Sequence, residues 1–289
     1  MGDRKLVSLF PDAVGPQGGQ AFLDRQIKEY LEISGGKEPE ALFFNMEPYS
    51  NPIGIEIEAE MFQGYAVPMC FWRLDEDLSL KKKGIEFISY PLTGRAIDYA
   101  LEEARLAGGK LSYSHRTSVH VHCNVMHYTT NQLATLMAYY AMLETCFYHQ
   151  VDYIRWGNTF CYPLVGTKPE VAWYSGHEGE IEKTTKYCAF NIAPVRTQFS
   201  VEFRHMHGTA NPKILRRWIQ TCAKLVYYVG KLNPKTCIQD TIDVINAGKF
   251  KDVVPLVWGD TAEIFDRRII DASIKNGELW AMVLLTGLA

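Results

Sequence analysis

"GIEIEAE", residues 54–60, sets Glu56 and Glu58 on alternate positions of a run otherwise built largely from isoleucine. Alternation with a period of two is the signature of a β-strand, in which residues two apart share a face. One face of this strand is therefore apolar and turns to a core, and the other carries two carboxylates. Like charges side by side repel, and burial makes them costlier still. The strand can hold them there if something positive lies nearby.

Three further strands repeat the design. Residues 84–90, GIEFISY, place Glu86 among Ile85, Phe87 and Ile88. Residues 117–125, TSVHVHCNV, give His120 and His122 on one face with Val119 and Val121 on the other. Residues 198–206, QFSVEFRHM, give Glu202 and Arg204, backed by Val201 and Phe203. A single strand of this kind needs no function, since an antiparallel sheet commonly wets one face. Four faces together offer glutamates, two histidines and one arginine with no lysine, whereas an ordinary solvent face mixes in Lys, Ser, Thr and Gln.

Around these strands the pattern alternates strand and helix. Further strands are expected at 67–74 and 187–193. A helix over 94–107 ends at Gly108-Gly109. A long helix over about 130–152 carries Leu133, Leu136, Met137, Tyr140, Leu143, Phe147 and Val151 at helical spacing. Another begins at Asn211, an N-cap, with Pro212 at its first position. The tail from 238 reads as helical, and AFLDRQIKEYLEIS near the N-terminus forms one amphipathic piece. There is no G-x-G-x-x-G and no Walker loop, so a nucleotide-binding parallel sheet is not expected. The expected class is α+β, with an antiparallel sheet. The organisation expected is an N-terminal appendage over 1–50, a catalytic domain over 51–235, and a helical C-terminal segment over 236–289 packed on that domain.

Composition bounds the partners. The chain has 289 residues, 47% hydrophobic and 22% charged, with a formal net charge of −3, so no broad nucleic-acid surface is indicated. No long apolar run marks a leader or membrane span, and a cytoplasmic protein without a membrane partner is expected. Seven dispersed cysteines without a C-x-x-C pair read as reduced thiols, and Cys123 as a buried, unreactive one. The aromatics Tyr139, Tyr140, Phe147 and Tyr148 read as core, and His205 and His207 as loop or rim residues.

If the polar faces converge, their carboxylates call for cations. Magnesium or manganese fits, because these hard ions take oxygen ligands and commonly bridge carboxylates to phosphates. An imidazole is tolerated more readily by manganese. The H-x-H pair alone would also suit zinc, which the surrounding carboxylates make the lesser choice. Arg204 is permanently charged and forked, which suits a transferring phosphoryl group.

These motifs, "GIEIEAE", "DEDLSLKKKGIEFISYPLTG", "TSVHVHCNV" and "FSVEFRHMHGT", in this order over roughly residues 52–230, resemble the predicted amidoligases of phage and bacterial genomes. That family belongs to the carboxylate–amine ligases, with glutamine synthetase and glutamate–cysteine ligase. The resemblance implies a glutamine-synthetase-like half barrel, a curved antiparallel sheet with helices on its convex side. It implies ATP and Mg²⁺ or Mn²⁺, and a carboxylate converted to an acyl phosphate that an amine then attacks to form an amide or isopeptide bond. The substrates would be small-molecule or peptide carboxylates and amines.

Residue by residue, the resemblance makes Glu56, Glu58, Glu86 and Glu202 metal ligands. It sets His122 on the metal or phosphate side, with His120 beside it on the nucleotide. Arg204 steadies the γ-phosphoryl group, and Asn191 lies in "KYCAFNI". Lys183 and Lys186 stand where relatives often show an arginine. Asp77, with Asp75 as competitor, positions substrate, as do Arg155 and Asn158. Arg155 suits a substrate carboxylate or a structural ion pair equally. The alternatives to a ligase are a guanidino-kinase-like phosphotransferase on the same fold, an inactive binding or structural protein, and a metal-dependent hydrolase built on the H-x-H strand.

Overall fold

The computed structural model describes residues 3–9, 18–40, 44, 51–60, 69–80, 84–108, 111–169, 172–173 and 187–288. The chain is α+β and divides into two compact units interleaved in sequence. The first comprises Pro16–Asn124 and Met206–Ala223; the second comprises Met1–Gly15, Val125–His205 and Lys224–Ala289.

The first unit contains four antiparallel strands in the order β2 (Trp72–Asp77), β3 (Gly84–Ser89), β1 (Ile53–Ala59) and β4 (Ser118–Asn124). Their alternation sorts side chains as expected. Ile53, Ile55, Ile57, Phe87, Val119 and Val121 are all buried apolar residues. Two helices, α1 (Gly19–Ile33) and α2 (Arg95–Gly108), belong to the same unit. Tyr30 of α1 meets Tyr99 of α2 edge-on at 5.4 Å. The indole of Trp72 donates to the carbonyl of Ala100 at 3.0 Å, tying β2 to α2.

Of the strand expected at 67–74, residues 67–68 lie outside the described residues; among the described ones the strand starts at Trp72 and runs on through the acidic residues to Asp77. The physical reason lies in α2. The carboxylate of Glu103 accepts the backbone N–H groups of Cys70 and Phe71, at 2.8 and 2.9 Å. A side chain thereby takes the N–H groups of these buried residues, while the Phe71 carbonyl still accepts the Tyr90 N–H at 3.0 Å. Asp75, Glu76 and Asp77 pair with β3 because ladder bonds need only the backbone.

The second unit is organised on α3 (Thr130–Tyr148), whose side chains are buried at nearly every position. Its first turn is closed by a capping box between Thr129 and Gln132. The helix stops at Tyr148 rather than 152. The carbonyl of Tyr148 turns to the Trp156 indole N–H at 3.1 Å, and Gln150 N–H bonds three residues back to Phe147.

The pair β5 (Phe190–Asn191) and β6 (Ser200–His207) follows. Of the strand expected at 187–193 only these two β5 residues pair with β6, while Cys188 bridges Tyr162. Helix α4 (Pro212–Gly230) starts as expected, with Asn211 Oδ1 accepting the Lys213 N–H at 3.0 Å, and its chain runs from the first unit into the second. Two long helices, α5 (Cys237–Asn246) and α6 (Arg267–Leu288), complete the tail.

The second unit's core is aromatic. Tyr140 stacks on Phe190 with ring centres 4.5 Å apart, and Phe147 stacks on Phe203 at 5.6 Å. Tyr139, Tyr140, Phe147 and Tyr148 are core residues, as their sequence pattern suggested. His205 is a correction: it lies within β6, fully buried against the rings of Tyr140, Phe147 and Tyr148, and is no rim residue. All seven cysteines are buried and unpaired with one another. No helix among the described residues is long and apolar enough to cross a membrane.

Candidate metal centre

Strand register decides which polar groups meet. Glu58 of β1 stands opposite Glu86 of β3, which stands opposite Asp75 of β2. On the other side Glu56 stands opposite His120 of β4, and Gly54 opposite His122. Directly opposed residues share a face and lie close enough to interact. The polar face of the four strands therefore carries Asp75, Glu86, Glu58, Glu56, His120 and His122 together. Ligand atoms of Glu56, Glu86 and His120 all lie within 4.8 Å of one another.

The contacts around this trio are specific. His120 Nδ1 lies 3.0 Å from Glu56 Oε2. Its Nε2 lies 2.8 Å from the Ser118 hydroxyl and 3.7 Å from Glu58 Oε1. Ser118 donates both its backbone N–H and its hydroxyl to Glu58 Oε2, at 2.8 and 2.7 Å. His122 Nε2 sits 3.4 Å from Glu56 Oε1. Ser118 is a member of the site that sequence reasoning missed. Its only signal was its place two residues before His120 on the same strand face.

The electrostatics separate the acids. Burial by itself would raise Glu56, but the charge of His122 and the hydrogen bonds of both histidines overcome it. They hold its carboxyl well below the usual carboxylate range. Glu86 goes the other way: burial, then the negative charges of Glu56, Glu58 and Asp77, push it up to about 8. The face is therefore short of positive charge, and a cation would relieve it. Two carboxylates and one imidazole form a donor set that suits a divalent ion, with Mn²⁺ or Mg²⁺ favoured by the oxygens.

Asp77 closes β2, and its side chain accepts the Ser79 N–H at 2.8 Å in a tight turn. Asp75 lies 3.4 Å from Arg73. Lys183 and Lys186 lie outside the described residues.

In the second unit, Glu202 and Arg204 share one face of β6, and Arg204 Nη1 binds Glu202 Oε1. Glu202 is buried and also accepts from Asn191 Nδ2 at 2.8 Å, across the register pair Asn191–Glu202. Asn191 Oδ1 accepts from the Ala193 N–H at 3.0 Å, which fixes the amide's orientation.

Arg155 is 1% exposed. Its Nε donates to the His205 carbonyl at 2.9 Å and its Nη2 to the Arg204 carbonyl at 2.7 Å, clamping the β6 backbone. Its buried Nη1 has no hydrogen-bond partner among the described residues. Asn158 caps a turn, its Oδ1 accepting the Phe160 N–H at 2.9 Å.

No protein-family model matches the chain, and a search of curated proteins returns no match.

Proposed function

We propose that the chain is an ATP-dependent carboxylate–amine ligase whose metal-binding wall is the polar face of β1, β3 and β4. The observation that carries this reading is the convergence of Glu56, Glu86 and His120 on that face, with Glu58 beside them. The motif resemblance supports it, and with it a glutamine-synthetase-like half barrel and a cytoplasmic setting.

In this proposal Glu56, Glu86 and His120 hold the ion, and Glu58 and His122 brace it. Bound Mg²⁺ or Mn²⁺ would neutralise the phosphates of ATP and template the donor carboxylate. Ser118, by filling Glu58 Oε2 with two donors, keeps that carboxylate turned in one direction. The role of Glu202 as a further ligand and of Arg204 at the γ-phosphoryl group rests on the resemblance. So do phosphate contact by Lys186 and nucleotide contact by Asn191. The assignment of Arg155 to a substrate carboxylate also rests on the resemblance, since two of its donors clamp the β6 backbone.

The test is a screen of carboxylates and amines with Mg-ATP, read as ADP release and by mass spectrometry of the product. Glu58→Gln and Arg204→Ala are expected to abolish ADP release while the far-UV spectrum stays unchanged. Wild-type turnover in either variant would sink the assignment. A phosphorylated product without an amide selects the phosphotransferase, and turnover without ATP selects a hydrolase.

A further inference from the structure

A buried chain of polar groups runs through the aromatic core of the second unit. Tyr140 and Glu144 lie four residues apart on one face of α3. The Tyr140 hydroxyl stands 2.9 Å from Glu144 Oε1 and 2.6 Å from Nε2 of His205 in β6. At its other end Glu144 accepts the N–H groups of Leu164 and Val165, in the short helical turn Leu164–Gly166. All three side chains of the chain are buried.

The hydroxyl and the neutral imidazole carry one proton each, which leaves two ways to satisfy the chain. With Glu144 ionised, Tyr140 donates to the carboxylate and its oxygen accepts from His205 Nε2–H. With Glu144 protonated, the acid needs an acceptor. The Leu164 and Val165 N–H groups are donors, so among these partners the Tyr140 oxygen is the one that can accept. Tyr140 then turns its own proton to His205 Nε2, and the imidazole carries its proton on Nδ1. The protons balance: Glu144 gains one from solvent, Tyr140 keeps one, and His205 keeps one but moves it from Nε2 to Nδ1. A mixed arrangement leaves a buried donor facing a donor, at the cost of an unmade bond.

The groups around the chain hold their charge while Glu144 changes. Burial raises the hydroxyls of Tyr140 and Tyr148 and the thiols of Cys161 and Cys188. Burial, then the charge of Arg155, keeps His205 neutral. Arg155 and Arg204 are fixed positive charges. Of this set Glu144, pushed up to about 7 by burial, titrates near neutrality.

We infer that Glu144, Tyr140 and His205 form a proton-driven relay. Protonation of Glu144 reverses the direction of both hydrogen bonds, changes the tautomer of the β6 imidazole and weakens the hold of α3 on the Leu164–Val165 turn. The weakening follows because two charge-assisted bonds become neutral ones, about half as strong. All members of the relay belong to the second unit, and it is independent of the ligase reading.

The experiment is nitrogen NMR of the His205 ring in the whole chain, at about pH 5 and about pH 8, with the signal assigned by its loss in His205→Gln. Wild type is expected to carry the proton on Nδ1 at the lower pH and on Nε2 at the higher, with a midpoint at about 7. The Leu164 and Val165 amide resonances are expected to shift with the same midpoint. Glu144→Gln should hold one tautomer at both pH values. Tyr140→Phe should keep the amide shifts and lose the tautomer change.

A single tautomer in wild type at both pH values overturns the relay, and so does an imidazolium at the lower one. Wild type decides both outcomes by itself, whether or not the variants fold. A tautomer change that persists in Glu144→Gln or in Tyr140→Phe overturns it as well, because the signal would then not pass from the acid through the hydroxyl.

Discussion

Replacing Glu144 by glutamine should remove the pH dependence that this one buried acid imposes on stability. Glu144 lies in α3 inside the second unit and is 4% exposed. Its Oε2 accepts the Val165 N–H at 3.0 Å, and its Oε1 accepts from the Leu164 N–H and, at 2.9 Å, from the Tyr140 hydroxyl. Burial is the stronger influence and the hydrogen bonds the weaker, so the carboxyl is pushed up to about 7. An acid raised in the fold binds its proton more tightly folded than unfolded. Its contribution is full below the unfolded value, about 4.3, and is lost as pH rises to the folded one. At 1.36 kcal/mol per pH unit the loss between those values is about 3 kcal/mol.

His205 works against it over part of this range. Burial, then the charge of Arg155, hold its imidazole well below the usual range. Its contribution is therefore present above the unfolded value, about 6.5, and lost as pH falls below it. Wild type alone would show the two slopes partly cancelling. The readout is consequently the difference between wild type and Glu144→Gln in urea unfolding, compared at about pH 5 and about pH 8.

Glutamine offers one acceptor oxygen where the acid uses two, so the variant starts about 1–3 kcal/mol less stable at low pH. At high pH that gap should close or reverse, moving by about 3 kcal/mol. A difference that stays constant with pH, or moves the other way, refutes the reasoning.

Three further outcomes are expected. Glu86→Gln should weaken Mn²⁺ binding about tenfold or more by calorimetry, with the fold retained, because it removes the charge of one of the three converging groups proposed to hold the ion. Gly277→Ala should lower the melting temperature by the equivalent of about 2 kcal/mol, because an added Cβ would stand 2.1 Å from the Ala141 carbonyl oxygen, a backbone atom of α3. Arg155→Lys should cost about 1.5–3 kcal/mol in chemical unfolding, since an ammonium cannot span the carbonyls of both Arg204 and His205.

Much of the first unit was legible in advance. Alternation placed β1, β3 and β4 nearly to the residue and told which of their side chains share a face. It could not give register, because the same pattern is satisfied by any shift of two residues. Register is what brings Glu56 opposite His120 and Glu58 opposite Glu86. The acidic end of β2 was missed because Asp and Glu are poor strand formers and its pairing is made by backbone alone.

The buried acids Asp98, Glu103 and Glu144 had no sequence signal at all. In a helix each reads as a solvated residue. Their partners are remote in sequence: Asp98 takes the Phe44 N–H at 3.0 Å and stands 3.3 Å from Arg216, and Glu103 takes two N–H groups of the chain before β2.

The sequence by itself determined the class of the fold, the strands that carry acids and imidazoles, and the apolar faces behind them. Periodicity is a local property, set by the geometry of one strand or one turn. Tertiary structure decided which charges are neighbours, which are provided with donors, and which, like Glu60 Oε1, have none among the described residues. Those are properties of distance between separate segments, and distance enters only when the chain has closed its loops.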